Sequence, residues 1–132
     1  MFYASPAFGQ PNQSCKLQDL KGTYGFTLKG TNLARGVGYI VAGVLTSDGG
    51  GNITGSGKQS VAGLVSDASF NGTYQLNADC TGTTHLRFTS GVQSDLYFVL
   101  VQDGEEAMML YVDNGALESG DAKRINVAKG KP

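Results

Sequence analysis

The sequence Gly-Thr-Tyr-Gln-Leu-Asn-Ala-Asp-Cys-Thr-Gly-Thr-Thr at residues 72–84 has the most informative pattern in this chain. Tyr74 and Leu76 alternate with polar neighbours, and residues 77–82 are of the types that form tight turns. The alternation resumes after the turn at Leu86. This stretch therefore predicts an antiparallel hairpin with a cysteine in its turn.

Similar units recur along the chain and are separated by turn residues such as Asp-Gly pairs. No segment has a convincing helical period with caps. Consecutive hairpins of seven or eight strands predict an all-β fold, an antiparallel up-and-down barrel, and we favour it over a sandwich because closure removes exposed sheet edges. The predicted strands are residues 22–29, 37–46, 53–61, 69–76, 83–89, 96–102, 107–112 and a last strand that includes 123–127.

Composition excludes several classes of function. The 132 residues suffice for one domain with a modest core, and 10 Lys and Arg against 11 Asp and Glu, with no basic cluster, argue against a nucleic-acid partner. No apolar run is long enough for a membrane span. One histidine and two cysteines make no convincing metal set, and the turn at 48–52 lacks the later glutamate of a calcium loop. We expect no metal and no cofactor.

The two cysteines, Cys15 and Cys80, each lie beside a polar turn. They are either two unrelated thiols or a disulfide, which we favour and which implies an oxidising compartment. Residues 1–19 are predicted to form an N-terminal arm and residues 20–132 a single barrel domain. The first ten residues resemble the tail of a signal-peptide cleavage region without its positive start or long apolar core, so whether residues 1–14 belong to the mature protein stays open. We expect a secreted, periplasmic or cell-surface protein.

Two predicted strands are apolar on both faces. Residues 96–101 and 108–112 do not alternate as strands with one solvated face do. The outer side of this wall is therefore predicted to be covered, either by the N-terminal arm or by a second subunit. Our hypothesis is homo-oligomerisation through strands 96–102 and 107–112.

Three segments of the chain together resemble a family of small exported bacterial proteins of unassigned function. They are Leu-Lys-Gly-Thr-Tyr-Gly-Phe at residues 20–26, the stretch at 43–52 that ends in a glycine-rich turn, and the unit at 72–84. The resemblance spans residues 20–124. At the level of the fold, the strand pattern looks like that of lipocalin or allene oxide cyclase-like barrels. The resemblance implies a barrel and export, and it assigns no residue a role.

His85, the only histidine, shares one strand face with Arg87. If the apolar face of that strand fills the barrel, both side chains lie outside in solvent. If the lumen is wide and polar, they project inward and are suited to bind an anionic or carbonyl group. The other candidate ligand-binding residues are tyrosines on predicted strands, which offer apolar rings with one polar group each: Tyr24, Tyr39, Tyr74, Tyr97 and Tyr111.

These observations leave three functions open. The first is an exported barrel that binds a small apolar ligand or assembles at the cell surface. The second is a cyclase or isomerase whose lumen shapes a small lipophilic substrate, with tyrosines and Arg87 as hydrogen-bond donors. The third is a structural subunit of a homopolymer with a solid barrel. A lumen of several hundred cubic ångströms favours the first two, and a packed interior favours the third.

Overall fold

The computed structural model describes residues 14–112 and 115–125 and contains a closed barrel of eight antiparallel strands. Each strand pairs with the next in sequence, and the last pairs with the first, which confirms the predicted up-and-down barrel. The strands are β1 (Lys21–Asn32), β2 (Val37–Asp48), β3 (Asn52–Val61), β4 (Leu64–Leu76), β5 (Thr81–Phe88), β6 (Gln93–Val101), β7 (Glu106–Tyr111) and β8 (Ala116–Arg124).

Alternation of side chains explains which face of each strand is buried. In β1, Tyr24, Phe26 and Leu28 point inward and are buried, whereas Thr27 and Lys29 between them are exposed. The same alternation runs through β5, where Thr84 and Leu86 are buried. Because the barrel is closed, every described strand has a hydrogen-bonded neighbour on both sides and no sheet edge is left unpaired.

Two strands differ most from the sequence prediction. β4 begins at Leu64 instead of residue 69, and these added residues pair with β3, where Lys58 and Asp67 form an ion pair on the outer face. β8 covers Ala116–Arg124, whereas the last predicted strand was placed only by its residues 123–127. Its small and charged residues have low intrinsic strand preference, and its pairing with β1 and β7 places it in the sheet.

Several predicted features lie outside the described residues. These are residues 1–13 of the N-terminal arm, residues 113–114 of the last turn, and residues 126–127 of the last predicted strand. Gln102–Gly104 forms a 3-10 turn between β6 and β7, where an Asp-Gly turn was expected.

The two ends of the barrel are built differently. The turns after β2, β4 and β6 lie at one end, which we call the closed end, together with the closing segment, residues 14–20. The closing segment contains a 3-10 helix, Leu17–Asp19, and Leu20 is part of the core. The turns after β1, β3, β5 and β7 lie at the other end, which we call the open end.

Hydrogen bonds to backbone carbonyls fix the closing segment in place. The Leu20 carbonyl accepts from the Ser47 hydroxyl at 2.5 Å and from the Tyr74 hydroxyl at 2.9 Å. Tyr74 also donates to the Leu17 carbonyl at 2.8 Å. Cys15 forms a disulfide with Cys80 in the turn after β4, so the predicted bridge is confirmed. The closing segment is thus held to the barrel both covalently and by buried polar contacts.

Candidate functional site

A cavity of about 550 Å³ occupies the open half of the barrel. This volume lies within the range of roughly 300–1,000 Å³ that is usual for sites that bind small molecules. Its wall comes from every strand and from the turns of the open end. The lining residues are Asn32, Arg35, Val37, Tyr39, Val41, Gln59, Val61, Ala62, Leu64, Ser66, Phe88, Ser90, Val92, Gln93, Ser94, Tyr111, Ala116 and Glu118.

Side-chain size along the strands explains why only one half is hollow. In the closed half, large inward residues such as Phe26, Phe70 and Phe98 leave a void of only about 40 Å³. In the open half, inward positions carry small or short residues such as Ser66 and Ser94. Such side chains cannot meet at the barrel axis, so the lumen stays open.

Aromatic rings separate the cavity from the packed half. Phe88 borders the cavity, and its ring centroid lies 5.1 Å from that of Phe70. Phe70 in turn contacts Phe26 edge to face at 5.6 Å in the closed half. These contacts give the cavity an apolar floor.

One acidic side chain is buried in the cavity wall. Glu118 on β8 is only 7% exposed, and its carboxyl group lies within hydrogen-bonding reach of the Tyr39 hydroxyl on β2. The strand between them, β1, has Gly30 opposite both residues. Because Gly30 has no side chain, the Glu118 and Tyr39 side chains meet across β1. Tyr111, at the end of β7, also lines the cavity and acts electrostatically on Tyr39.

The surroundings of Glu118 and Tyr39 shift the pKa values of both side chains. Burial raises the pKa of Glu118 above its ordinary value, because the apolar wall disfavours the carboxylate, and the hydrogen bond from Tyr39 opposes that rise only in part. Burial also raises the pKa of Tyr39, and the nearby Glu118 adds to the rise. Tyr39 therefore stays a hydrogen-bond donor throughout the physiological pH range.

The structure divides the predicted site residues among three places. Tyr39 and Tyr111 line the cavity. Tyr24 and Tyr74 are buried at the closed end, where the Tyr24 hydroxyl donates to the Gly104 carbonyl at 2.6 Å. Their hydroxyl groups are used by the fold, so they do not reach the cavity.

The remaining candidates lie on the outer surface. His85 faces outward on β5, and its Nδ1 lies 2.5 Å from the Asp95 carboxylate on β6. Arg87 is exposed on the same face, and Tyr97 is exposed on β6. The structure thus places His85 and Arg87 outside the lumen, as the first of the two sequence alternatives has it.

Sequence reasoning missed Glu118 and Phe88 as cavity residues. Phe88 falls within the predicted strand 83–89 without a role in the site, and Glu118 lies before the residues given for the last predicted strand. A signal was present: Ala116 and Glu118 share one parity in the segment before the predicted last strand, which places a small residue and an acid on the same face.

The described residues show no candidate metal site. They contain no group of three or more His, Cys, Asp or Glu side chains placed to hold a metal ion. In the glycine-rich turn after β2, Asp48 accepts hydrogen bonds from the Gly50 and Asn52 amides, as in an ordinary turn. Within residues 14–112 and 115–125, no helix has the length and apolar character needed to cross a membrane.

The chain is similar in fold to solved structures of designed proteins. The chain is similar to a de novo designed fluorescence-activating β-barrel, with a TM-score of 0.58, 14% sequence identity, and coverage of 83% of this chain and 96% of that chain. It is also similar to a redesigned β-barrel, mFAP1, bound to DFHBI, with a TM-score of 0.55, 13% identity, and coverage of 82% and 97%. At these identities the likeness shows the fold alone.

No family model and no curated protein sequence matches this chain. The resemblance to exported bacterial proteins therefore stays a prediction, while the barrel that it implied is present. The Cys15–Cys80 disulfide is typical of proteins outside the reducing cytoplasm.

Proposed function

We propose that this protein binds one small, largely apolar molecule in the cavity at the open end. The observation that carries the proposal is the combination of a cavity of about 550 Å³ with one buried acid, Glu118, beside the Tyr39 hydroxyl in its wall. Apolar pockets with few, well-placed polar groups are the usual form of small-molecule sites. The redesigned barrel mFAP1, bound to DFHBI, is a barrel of the same architecture that holds a small molecule.

The mouth of the cavity supports an apolar occupant. Leu64 and Val92 line the cavity and are also more than half exposed to solvent. Exposed aliphatic side chains at an entrance lower the cost of moving an apolar molecule from water into the lumen. The hollow lumen favours this function over a solid structural subunit. The outward position of Arg87 weighs against the lumen enzyme, in which Arg87 was to serve as a hydrogen-bond donor inside the lumen.

A binding titration with two tryptophan variants tests the proposal. The probe is the neutral lipophilic dye N-phenyl-1-naphthylamine, whose fluorescence rises in apolar surroundings. Ser66→Trp places an indole in the cavity wall, whereas Ser56→Trp places one on the exposed outer face of β3. We expect saturable binding of one dye per chain to the wild type and to Ser56→Trp. Ser66→Trp should bind at least about tenfold more weakly because the indole occupies the dye's volume.

Two results would overturn the proposal. One is the absence of saturable dye binding to the folded wild-type protein. The other is undiminished binding to Ser66→Trp, provided that this variant keeps the cooperative unfolding transition of the wild type.

A second proposal concerns assembly through the outer face of β6 and β7. Tyr97, Met108 and Leu110 are 40%, 49% and 53% exposed, and Tyr97 lies opposite Leu110 in the strand register. Together with Val112 they form an apolar outer patch, which favours a second copy of the chain as partner. We expect self-association in sedimentation velocity at high micromolar concentration, abolished by Leu110→Lys. A wild-type monomer throughout the concentration range would contradict it. The disulfide supports a secreted, periplasmic or cell-surface location for either function.

A further inference from the structure

We propose that the cavity selects apolar molecules that carry a protonated amine, with the Glu118 carboxylate as the counter-ion. This inference rests on the proposed function and adds the chemistry of the ligand's polar group. It depends on the position of Glu118, on its partners and on the distribution of charge over the cavity wall.

Glu118 is buried in the cavity wall and has room for another partner. Its carboxyl group has the Tyr39 hydroxyl within hydrogen-bonding reach, but a carboxylate has about four acceptor sites on two oxygens. None of the ion pairs in the described part of the chain includes Glu118. A buried carboxylate without a cation is costly, so a ligand that brings one is favoured over a ligand that does not.

Charge is arranged unequally along the cavity. Among the described residues that line it, only Glu118 and Arg35 are charged, and Arg35 is exposed in the turn at the mouth. An anionic ligand with its charged group inside the lumen would place two negative charges in one buried space. A neutral ligand would leave Glu118 without a cation. A molecule with an apolar body and one ammonium group satisfies both the carboxylate and the apolar wall.

The titration of Glu118 makes binding of an amine depend on pH. Burial raises the pKa of this carboxyl group, and a bound ammonium group would lower it again. The other titratable groups of the cavity are Tyr39 from β2, Tyr111 from β7 and Arg35 from the turn after β1; β1 itself presents Gly30. Amine binding should therefore release a proton from Glu118, and affinity for the amine should rise with pH until Glu118 is fully ionised in the free protein.

The test compares three ligands with the same chain and different polar groups. Decylamine, decan-1-ol and decanoic acid compete with N-phenyl-1-naphthylamine for the wild-type protein at about pH 7.5. We expect the amine to bind at least about tenfold more tightly than the alcohol, and the acid more weakly than the alcohol. In Glu118→Gln the amide oxygen still accepts from Tyr39 but carries no charge. There the amine and the alcohol should bind within about threefold of each other.

Glu106→Gln is the matched control, since Glu106 lies on β7 opposite Lys123 and does not line the cavity. It should keep the wild-type preference for the amine. A second measurement needs no variant: for the wild type, amine affinity should rise as the pH increases above 4.5, the ordinary pKa of the carboxyl group, while alcohol affinity does not rise.

The outcomes separate the two proposals. If the alcohol and the amine bind the wild type equally well at every pH, selection by Glu118 is refuted and the binding cavity stands. If Glu118→Gln is folded and keeps the full amine preference, selection by Glu118 is likewise refuted. If neither the dye nor any of the three ligands binds, the proposed function itself fails.

Discussion

Replacement of Gly30 by alanine should destabilise the barrel, because the wall between Tyr39 and Glu118 has no space for a side chain. A Cβ atom at Gly30 would lie 2.1 Å from the Leu117 carbonyl oxygen and 2.8 Å from the Glu118 Cα atom. Real Cβ contacts are essentially never shorter than 3.0 Å. β1 and β8 would thus have to separate locally by about 1 Å, and such overpacking typically costs about 1–3 kcal/mol.

Gly38 provides a matched control in the neighbouring strand. Gly38 lies in β2 opposite Thr31 of β1 and faces outward. The atom nearest to a Cβ added at Gly38 would be the Gly30 carbonyl oxygen at 3.8 Å, which is an ordinary contact. Alanine there restricts the unfolded chain without a clash and should stabilise the protein by about 0.4–1 kcal/mol. The two glycine-to-alanine variants should therefore differ by about 2 kcal/mol or more in their free energy of unfolding.

Urea unfolding followed by circular dichroism measures this difference. With a denaturant dependence of about 1–3 kcal/mol per molar urea, the unfolding midpoints of the two variants should lie about 1 M apart. Gly30→Ala should also weaken binding of the dye, because separation of β1 from β8 would displace the part of the cavity wall that β8 provides. Equal midpoints for the two variants would refute the close approach of β1 and β8 at Gly30, and with it the reason for a glycine between Tyr39 and Glu118.

Three further predictions concern the closed end and the buried acid. The double variant Cys15→Ala, Cys80→Ala should lose about 4 kcal/mol of stability, given the 65-residue separation of the bridge, and urea midpoints should then be insensitive to reductant. Tyr74→Phe should cost about 1 kcal/mol in the same assay, since the closing segment loses the hydroxyl hydrogen that the Leu17 and Leu20 carbonyls share. Tyr97→Phe on the surface should cost nothing measurable. Because the pKa of Glu118 is raised by folding, the stability of the wild type relative to Glu118→Gln should fall as pH rises above 4.5; a pH-independent difference would contradict this.

The parts of the fold that could be predicted from sequence are those set by local alternation. Tyr24, Phe26 and Leu28 have the parity of inward residues in the sequence and are buried in the barrel. β8 could not be recognised in this way, because its pattern of small, acidic and polar residues has little strand preference of its own. It is held in the sheet by pairing with β1, which is more than 80 residues away in sequence.

The site was harder to predict because alternation gives the face of a strand but not the height along the barrel. Tyr24 and Tyr39 both point inward, yet the first is at the closed end and the second lines the cavity. Their height follows from which turn each lies near, and that requires knowing which end the closing segment covers. In β6 the sequence did not show which side chains point inward, because Tyr97 points outward and is itself flanked by two apolar residues that point inward.

The two halves of the barrel contribute unequally to stability, and the packing of the closed half allows the open half to stay hollow. Large apolar side chains, the disulfide and the buried bonds of Tyr74 are concentrated at the closed end, where the lumen is filled. The open end contributes less packing, because Ser66 and Ser94 stand where core residues would otherwise meet. Substitutions around the cavity should therefore alter binding more than stability, whereas substitutions at the closed end should do the reverse. Gly30 is the exception that joins the two, since it both permits the β1–β8 contact and lets Glu118 reach Tyr39.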